Sequence, residues 1–295
     1  MADAQSSGGL SAGELRLLAE AADYLENPSL LMQLANAVGK PLEFVVRAVE
    51  KVAPGRVDEA VGAALRTAVN VAVRTIPTDA AGAKPVTEVP EDLRKVGALP
   101  GFLHKLSVAV TGTAGGLFGV AGLAVELPVT TTLMFRSIAS IAREFGEDLD
   151  DAEVRLQCLT VFSLGGPGEA GEAMDSAYLS ARWGVQEMVT HAARAVAGMT
   201  TEQLAAALQK GTAPALATLL ARIAARFNLT VSQKALVQAV PVLGAATGAA
   251  INVAFMDHFN RVARFHFGIR SLERKHGRDV VQEAYRGAAK RLRKS

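Results

Sequence analysis

The sequence predicts an all-α protein, a multi-helix bundle built around two Gly-rich apolar helical hairpins. Three observations lead to this prediction. Half of the 295 residues are hydrophobic while only 5% are aromatic, so small side chains that let helices approach closely are abundant. Runs with the strict alternation of a half-buried strand are not visible in the sequence. Two long uncharged windows, residues 106–125 and 235–256, carry glycines at four-residue spacing.

The N-terminal part, residues 1–76, is predicted to be a region of short helices. Ser11 followed by Glu14 is a capping box that opens the first helix, because each side chain accepts a hydrogen bond from the backbone amide of the other residue. Residues 77–101 contain four prolines and predict a linker or a surface crossing. Residues 102–295 are predicted to form the larger helical body. The prolines that interrupt the N-terminal helices are Pro28, Pro41, Pro54 and Pro77.

The first hairpin is predicted over residues 106–145, with its turn at Glu126. Pro128 suits the first turn of the second helix, where its missing amide would have no partner in any case. Glu126 would then lie beside the N-terminus of that helix, where the macrodipole favours a carboxylate. The helix is expected to end near Phe145, with Gly146 as its C-cap.

The second hairpin is predicted over residues 235–259. In both hairpins the glycine spacing places the glycines on one helix face as a glycine zipper, where neighbouring backbones can touch. Each interior glycine costs roughly 0.5–1 kcal/mol relative to alanine, so their density requires a packing reason. The predicted helix-packing glycines are Gly112, Gly115, Gly116, Gly119, Gly244 and Gly248.

The two uncharged windows are long enough to cross a bilayer. Their alanines, glycines, serines and threonines contribute little insertion free energy, however. We therefore favour a buried hairpin of close-packed helices over a transmembrane span. A weakly hydrophobic hairpin of this kind could also lie against or enter a membrane conditionally.

Further capping patterns predict helix starts at Asp150, Thr200 and Thr230, each of which has Glu or Gln three residues later. Cys158 is the only cysteine and lies in an apolar helical context, so we expect a buried, unreactive thiol. A single cysteine permits no internal disulfide, as expected in a reducing compartment. The N-terminal residues lack a basic segment followed by an apolar core, so we expect no secretory signal and a cytoplasmic location.

Charge is distributed unevenly along the chain. Residues 1–60 carry nine acidic and five basic residues, a net charge of −4, whereas residues 261–295 carry eleven basic and three acidic residues, a net charge of +8. The basic end predicts either a solvated helix face or a surface for an anionic partner. An amphipathic basic helix can lie on an anionic membrane surface, but its thin apolar face equally favours docking onto the protein's own body. Nucleic acid is less favoured, because it would require interleaved aromatic residues. The membrane-surface candidates are Arg286, Lys290, Arg291, Arg293 and Lys294.

Four segments resemble the signature of the EcsC protein family: "GVAGLAVELPVTTTLMFRSIASIAREFGED" at 119–148, "CLTVFSLGG" at 158–166, "QAVPVLGAATGAAINVAFMDHF" at 238–259 and "VARFHFGIRSLERKHG" at 262–277. They occur in the same order as in the family and extend the resemblance over most of residues 100–280. The resemblance implies a mainly helical bacterial protein, from a family named after a locus that also encodes an ABC transporter. It implies no established reaction and brings no catalytic residues.

Polar residues that could form a site are concentrated around one short acidic segment. If helical, Glu169, Glu172 and Asp175 would line one face, where three carboxylates could hold a divalent cation or form a solvated acidic face. Tyr178 and Arg182, one turn apart, could pair with that face or with a ligand. Glu126 and Arg136 of the first hairpin are further polar-site candidates.

The sequence contains no HExxH pair, P-loop, GxGxxG loop or GxSxG elbow. We predict no catalytic residue, metal or cofactor, and we expect His258 and His266 to be core or interface histidines. The leading hypothesis is a non-enzymatic helical protein that interacts with lipid at the inner face of the membrane, beside a membrane complex such as a transporter. The alternatives are a hydrolase or metal-dependent enzyme with a carboxylate-based site, and a soluble protein-binding scaffold.

Overall fold

The computed structural model describes residues 9–27, 59–68, 119–164, 176–238 and 245–293. Throughout these ranges the chain is helical or connects helices, which confirms the all-α class. The helices are α1 (Ala12–Glu26), α2 (59–68), α3 (Gly119–Glu144), α4 (Ala152–Leu164), α5 (Ala177–Val196), α6 (Thr201–Lys210), α7 (Pro214–Gln238), α8 (Ala245–His276) and α9 (Arg278–Leu292).

Two of the predicted capping boxes are present. The Ser11 amide donates to Glu14 Oε2 at 2.7 Å, and the Glu14 amide donates to Ser11 Oγ at 3.3 Å. Thr200 and Gln203 form the same reciprocal pair at the start of α6. Gly146 has a φ of +79°, a left-handed conformation that glycine adopts without strain, and it follows the end of α3 as predicted.

The other two predicted helix starts are wrong. The residue that caps α4 is Asp151, whose Oδ1 accepts from the Glu153 amide at 2.8 Å, rather than Asp150. Thr230 lies in the interior of α7 and begins no helix. Helix α7 continues through Thr230 because its buried stripe, which includes Phe227 and Val231, is unbroken at this position.

The predicted turn at Glu126 is also wrong. Helix α3 begins by Gly119 and passes through Pro128, which is therefore an interior residue and not the first turn of a new helix. An interior proline costs about 3 kcal/mol because it removes a backbone hydrogen bond and crowds the preceding turn. Helix α3 tolerates it because one face from Leu127 onward, which includes Phe135 and Ile138, is buried in the core.

Helix α8 is the central element of the described bundle. It packs against α1, α3, α4, α7 and α9. Its aromatic residues Phe255 and Phe259 interlock with Phe162 of α4 and Phe227 of α7, with ring centroids 4.9–6.3 Å apart. Tilted and T-shaped ring contacts of this kind stabilise a core beyond the area that they bury.

One glycine outside the predicted zipper permits a close contact between helices. A Cβ atom at Gly268 of α8 would lie 3.3 Å from Leu17 Cδ1 of α1 and 3.7 Å from the Phe145 ring. The bare backbone at this position therefore lets α1 and the end of α3 approach α8. The sequence pattern did not single out Gly268, because no second glycine lies one turn away from it.

Most of the zipper lies outside the described residues, namely Gly112, Gly115, Gly116 and Gly244, as does the predicted linker 77–101. Gly119 is the first residue of α3, and Gly248 lies in the first turn of α8. Of the second predicted hairpin, residues 235–238 end α7 and residues 245–259 begin α8, while residues 239–244 lie outside the described residues, so the hairpin stays a prediction. Within the described ranges, no helix is both long enough and apolar enough to cross a membrane.

Candidate functional site

A buried ion pair joins α5 to α8. Arg182 is 4% exposed, and its two terminal nitrogens donate to the carboxylate of Glu273, Nη1 to Oε1 at 2.8 Å and Nη2 to Oε2 at 2.6 Å. Gln282 of α9 donates to the same carboxylate at 3.4 Å. The pair has the bidentate geometry that makes arginine–carboxylate interactions strong. The terminal nitrogens of Arg182 are therefore committed to Glu273 and not to a ligand.

A tyrosine–histidine pair lies one turn before this ion pair. The Tyr178 hydroxyl of α5 and His266 Nδ1 of α8 share a hydrogen bond of 2.9 Å, and both residues are buried. Burial raises the pKa of Tyr178 to about 12. Burial, assisted by the charges of Arg182 and Arg270, lowers the pKa of His266 well below its ordinary value, so that its ring is neutral at pH 7. The pair therefore positions two helices and carries no charge.

A second carboxylate, Glu147, anchors the C-terminal part of α8. It accepts from Arg270 Nε at 2.8 Å and from Arg270 Nη2 at 3.0 Å, and it is also paired with Arg274. Burial alone would raise the pKa of Glu147, but the hydrogen bonds and charges of the two arginines hold it below its ordinary value. Nearby, Cys158 is buried as expected, and this burial raises the pKa of its thiol.

Two carboxylates of α1 join these pairs in a network of buried polar contacts between helices. Glu14 lies 2.9 Å from both Lys275 Nζ and His276 Nε2 at the end of α8. Glu26 accepts from Ser176 Oγ at 2.6 Å and from the Ala177 amide at 2.8 Å. Glu26 therefore occupies the N-terminus of α5, where the macrodipole favours a negative charge.

The buried network therefore holds the bundle together. It fixes α1, α5, α8 and α9 through carboxylates that are each matched by a base or by a helix N-terminus. In the part of the chain that the structure describes, no group of His, Cys, Asp and Glu side chains could hold a metal ion. His258 and His266 are buried core histidines, as expected, with His258 Nδ1 2.7 Å from the Tyr24 hydroxyl.

The basic helix α9 presents two different faces. Its inner face packs against α1 and α8 and buries Val281, Tyr285 and Ala288. The remaining bases of its second half point outward and are exposed, namely Arg286, Lys290, Arg291 and Arg293. This arrangement combines a docked apolar face with an outward basic face, and Lys294 lies outside the described residues.

The structure brings together two of the predicted polar-site candidates, Tyr178 and Arg182, although each has a partner on α8. Arg136 is exposed on α3. Glu126 lies within α3, and its side chain is outside the described part. The acidic segment with Glu169, Glu172 and Asp175 also lies outside the described residues, so the convergence of carboxylates on which the enzyme hypothesis depends stays a prediction.

Sequence reasoning did not identify the residues that pair with Arg182 and Arg270. Glu273 is 91 positions from Arg182, and Glu147 is 123 positions from Arg270. No local spacing links such residues, because each pairing is created by the packing of distant helices. The only available signal was the cluster of bases in the last turn of α8, Arg274, Lys275 and His276, which requires counter-charges from elsewhere in the fold.

Comparison with known proteins gives one match. The model of the EcsC protein family matches residues 29–272. No curated protein and no solved structure matches the chain.

Proposed function

We propose that this chain, which belongs to the EcsC protein family, is a non-enzymatic protein that binds the surface of an anionic membrane. The outward face of α9, formed by Arg286, Lys290, Arg291 and Arg293, is the surface that makes this contact. The observation that carries the proposal is the division of α9 into an inner face docked on the bundle and an exposed basic face.

This division determines the mode of attachment. The apolar residues of α9 are already buried against α1 and α8, so the helix has no free apolar face with which to enter a bilayer. Attraction by charge remains, and each base near an anionic leaflet contributes about 1 kcal/mol. The attraction acts within about one Debye length, roughly 10 Å at 0.1 M salt, so it is sensitive to ionic strength.

Nucleic acid is a weaker candidate for the anionic partner. Binding to single strands would use aromatic residues interleaved with the bases as stacking platforms. The one aromatic residue of α9, Tyr285, is fully buried and donates a hydrogen bond to Glu26 at 3.1 Å. The outward face of α9 therefore offers positive charge without a stacking surface.

The proposal is tested by co-sedimentation with lipid vesicles. We expect the protein to bind vesicles that contain phosphatidylglycerol, and to bind pure phosphatidylcholine vesicles weakly. Raising the salt concentration from about 0.05 M to about 0.5 M should release it, because the attraction is screened. Binding that is equal for both lipids, or that is unaffected by salt, would contradict attachment through α9.

A quadruple variant locates the contact. Replacing Arg286, Lys290, Arg291 and Arg293 by glutamine should weaken partition onto anionic vesicles by at least about tenfold. The matched control removes the same amount of charge from exposed positions scattered over the bundle: Arg16, Arg66, Arg194 and Lys210. An equal loss in both variants would show that net charge, and not the face of α9, determines binding.

The family resemblance adds a membrane complex, such as a transporter, as the neighbour at that surface. Vesicles that contain only lipid distinguish binding to lipid from binding to a membrane complex. Binding to such vesicles supports α9 as sufficient for attachment, whereas binding only to membranes that contain the protein complex would contradict lipid as the partner.

A further inference from the structure

The only tryptophan of the chain, Trp183, lies on the surface. It belongs to α5 and is 42% exposed, and the guanidinium carbon of Arg278, the first residue of α9, lies 4.4 Å from the centroid of its ring. A large exposed aromatic side chain is unusual on a soluble surface, whereas tryptophan is enriched where proteins meet the headgroups of a membrane.

One arginine of the neighbouring helix α7 reaches the residue next to this tryptophan, and a second arginine lies one turn further along α7. Arg222 and Arg226 are one turn apart on α7, whose sequence contains no acidic residue. A Cβ atom at Gly184 would lie 3.8 Å from Arg222 Nη2, so the guanidinium of Arg222 reaches the residue that follows Trp183. Leu229, further along α7, is 50% exposed.

The charges of Arg222 and Arg226 are not neutralised within the described ranges, where neither side chain forms an ion pair. Burial, together with the neighbouring charge of Arg222, lowers the pKa of Arg226. The nearest acidic residue along α5, Glu187, lies one turn from Trp183 and is 3.7 Å from His191. The surface therefore combines unpaired positive charge with exposed apolar side chains.

We infer that this surface, the tryptophan face of Trp183, Arg222, Arg226, Arg278 and Leu229, is a second contact with the anionic phospholipid interface. Its arginines would contact lipid phosphates, and Trp183 and Leu229 would enter the headgroup region. The inference rests on the proposed function: α9 supplies attraction at a distance, and the tryptophan face supplies close contact. Arg278 links the two, because it begins α9 and stacks on Trp183.

Tryptophan fluorescence tests this contact directly, because Trp183 is the only source of the signal. Phosphatidylglycerol-containing vesicles should shift its emission to shorter wavelength, and lipids brominated near the headgroups should quench it. Co-sedimentation of the same samples reports binding independently. Protein that sediments with vesicles while its emission stays unshifted and unquenched would overturn the inference and leave the proposed function intact. Absence of sedimentation would overturn both.

A double variant separates the arginines from general charge. Arg222→Gln with Arg226→Gln should weaken vesicle binding about tenfold and reduce the quenching of Trp183 in the protein that remains bound. The control is Arg16→Gln with Arg66→Gln, two exposed bases on α1 and α2. Far-UV circular dichroism verifies the fold of both variants. Equal binding and equal quenching in the two variants would show that Arg222 and Arg226 do not contact lipid.

Discussion

The arginine inside the bundle is paired with a carboxylate, whereas two arginines on its surface form no ion pair within the described residues. Arg182 is buried and holds Glu273 through two hydrogen bonds, whereas Arg222 and Arg226 lie one turn apart and repel each other. A buried charge without a partner would be very costly, so the interior must pair its charges. The surface has no such requirement. The comparison teaches that paired arginines maintain the fold and that unpaired ones are available for binding.

The largest expected effect comes from breaking the buried pair. Replacing Arg182 by glutamine should lower the free energy of unfolding by about 3–5 kcal/mol, because it leaves the carboxylate of Glu273 buried without its base. Arg222→Gln is the matched surface control and should change stability by less than about 0.5 kcal/mol. Urea denaturation followed by circular dichroism measures both. Similar losses of unfolding free energy in the two variants would contradict the distinction between a structural arginine in the interior and a non-structural one on the surface.

A double substitution sharpens this result. Arg182→Met combined with Glu273→Leu removes both charges and replaces them with apolar side chains. We expect the double variant to be more stable than either single variant by at least about 2 kcal/mol, because no unpaired charge remains. If the two losses were additive, the side chains would not act as a pair.

The second effect depends on pH and concerns Glu14. Burial raises the pKa of Glu14, but hydrogen bonds from Ser11, His276 and Lys275 outweigh it and lower the value from 4.5 to about 2. The stabilisation is therefore complete above pH 4.5 and is lost as the pH falls toward 2, an effect of about 1–2 kcal/mol because solvent screens the contact with the exposed Lys275. Glu14→Gln should reduce the difference in unfolding free energy between pH 6 and pH 3. Glu20→Gln, on the exposed side of α1, should leave it unchanged, and equal pH profiles for both variants would contradict this role.

A smaller effect distinguishes partnered from unpartnered buried hydroxyls. Thr230 Oγ1 is buried and has no hydrogen-bond partner within the described part of the chain, whereas Thr160 Oγ1 donates to the Gln157 carbonyl at 2.8 Å. Thr230→Val should raise the free energy of unfolding by about 1 kcal/mol, because it removes an unsatisfied polar group without changing the shape of the side chain. Thr160→Val should lower it by a similar amount. A loss of stability in Thr230→Val, or a gain in Thr160→Val, measured by thermal denaturation would contradict the assigned hydrogen bonding.

The sequence was informative where structure is determined locally. The capping boxes at Ser11 and Thr200 and the left-handed Gly146 follow from residues within one turn, and all three are present. The wrong predictions at Pro128 and Thr230 have one cause. A local signal indicated a helix start, but the burial of a long apolar stripe extended the helix past it. Tertiary packing therefore overrode the local preference.

The exposed bases of α9 could be predicted from the sequence, but the partners of the buried arginines could not. Arg286 and Lys290 are exposed on α9 as its amphipathic pattern indicated. The partners of Arg182 and Arg270 depend on the arrangement of helices that are far apart in the chain, which no spacing encodes. Trp183 gave no sequence signal, because its exposure is a property of the folded surface.

The α9 quadruple variant is expected to have only a small effect on stability. Removing Arg286, Lys290, Arg291 and Arg293 should lower the free energy of unfolding by less than about 1 kcal/mol, the contribution of last-turn bases to the helix macrodipole. The same variant should lose vesicle binding. A large loss of stability, measured by urea denaturation, would show that the outward bases belong to the fold and not to a binding surface.

Chemical labelling of lysines in the unmodified protein tests the central claim most directly. Acetylation by a water-soluble reagent, read by mass spectrometry, compares Lys290 on the outward face of α9 with Lys210 at the end of α6, both exposed. On phosphatidylglycerol-containing vesicles, we expect the labelling of Lys290 to fall several-fold while that of Lys210 stays unchanged. Vesicle-bound protein in which Lys290 is labelled as rapidly as in free solution would contradict attachment through α9.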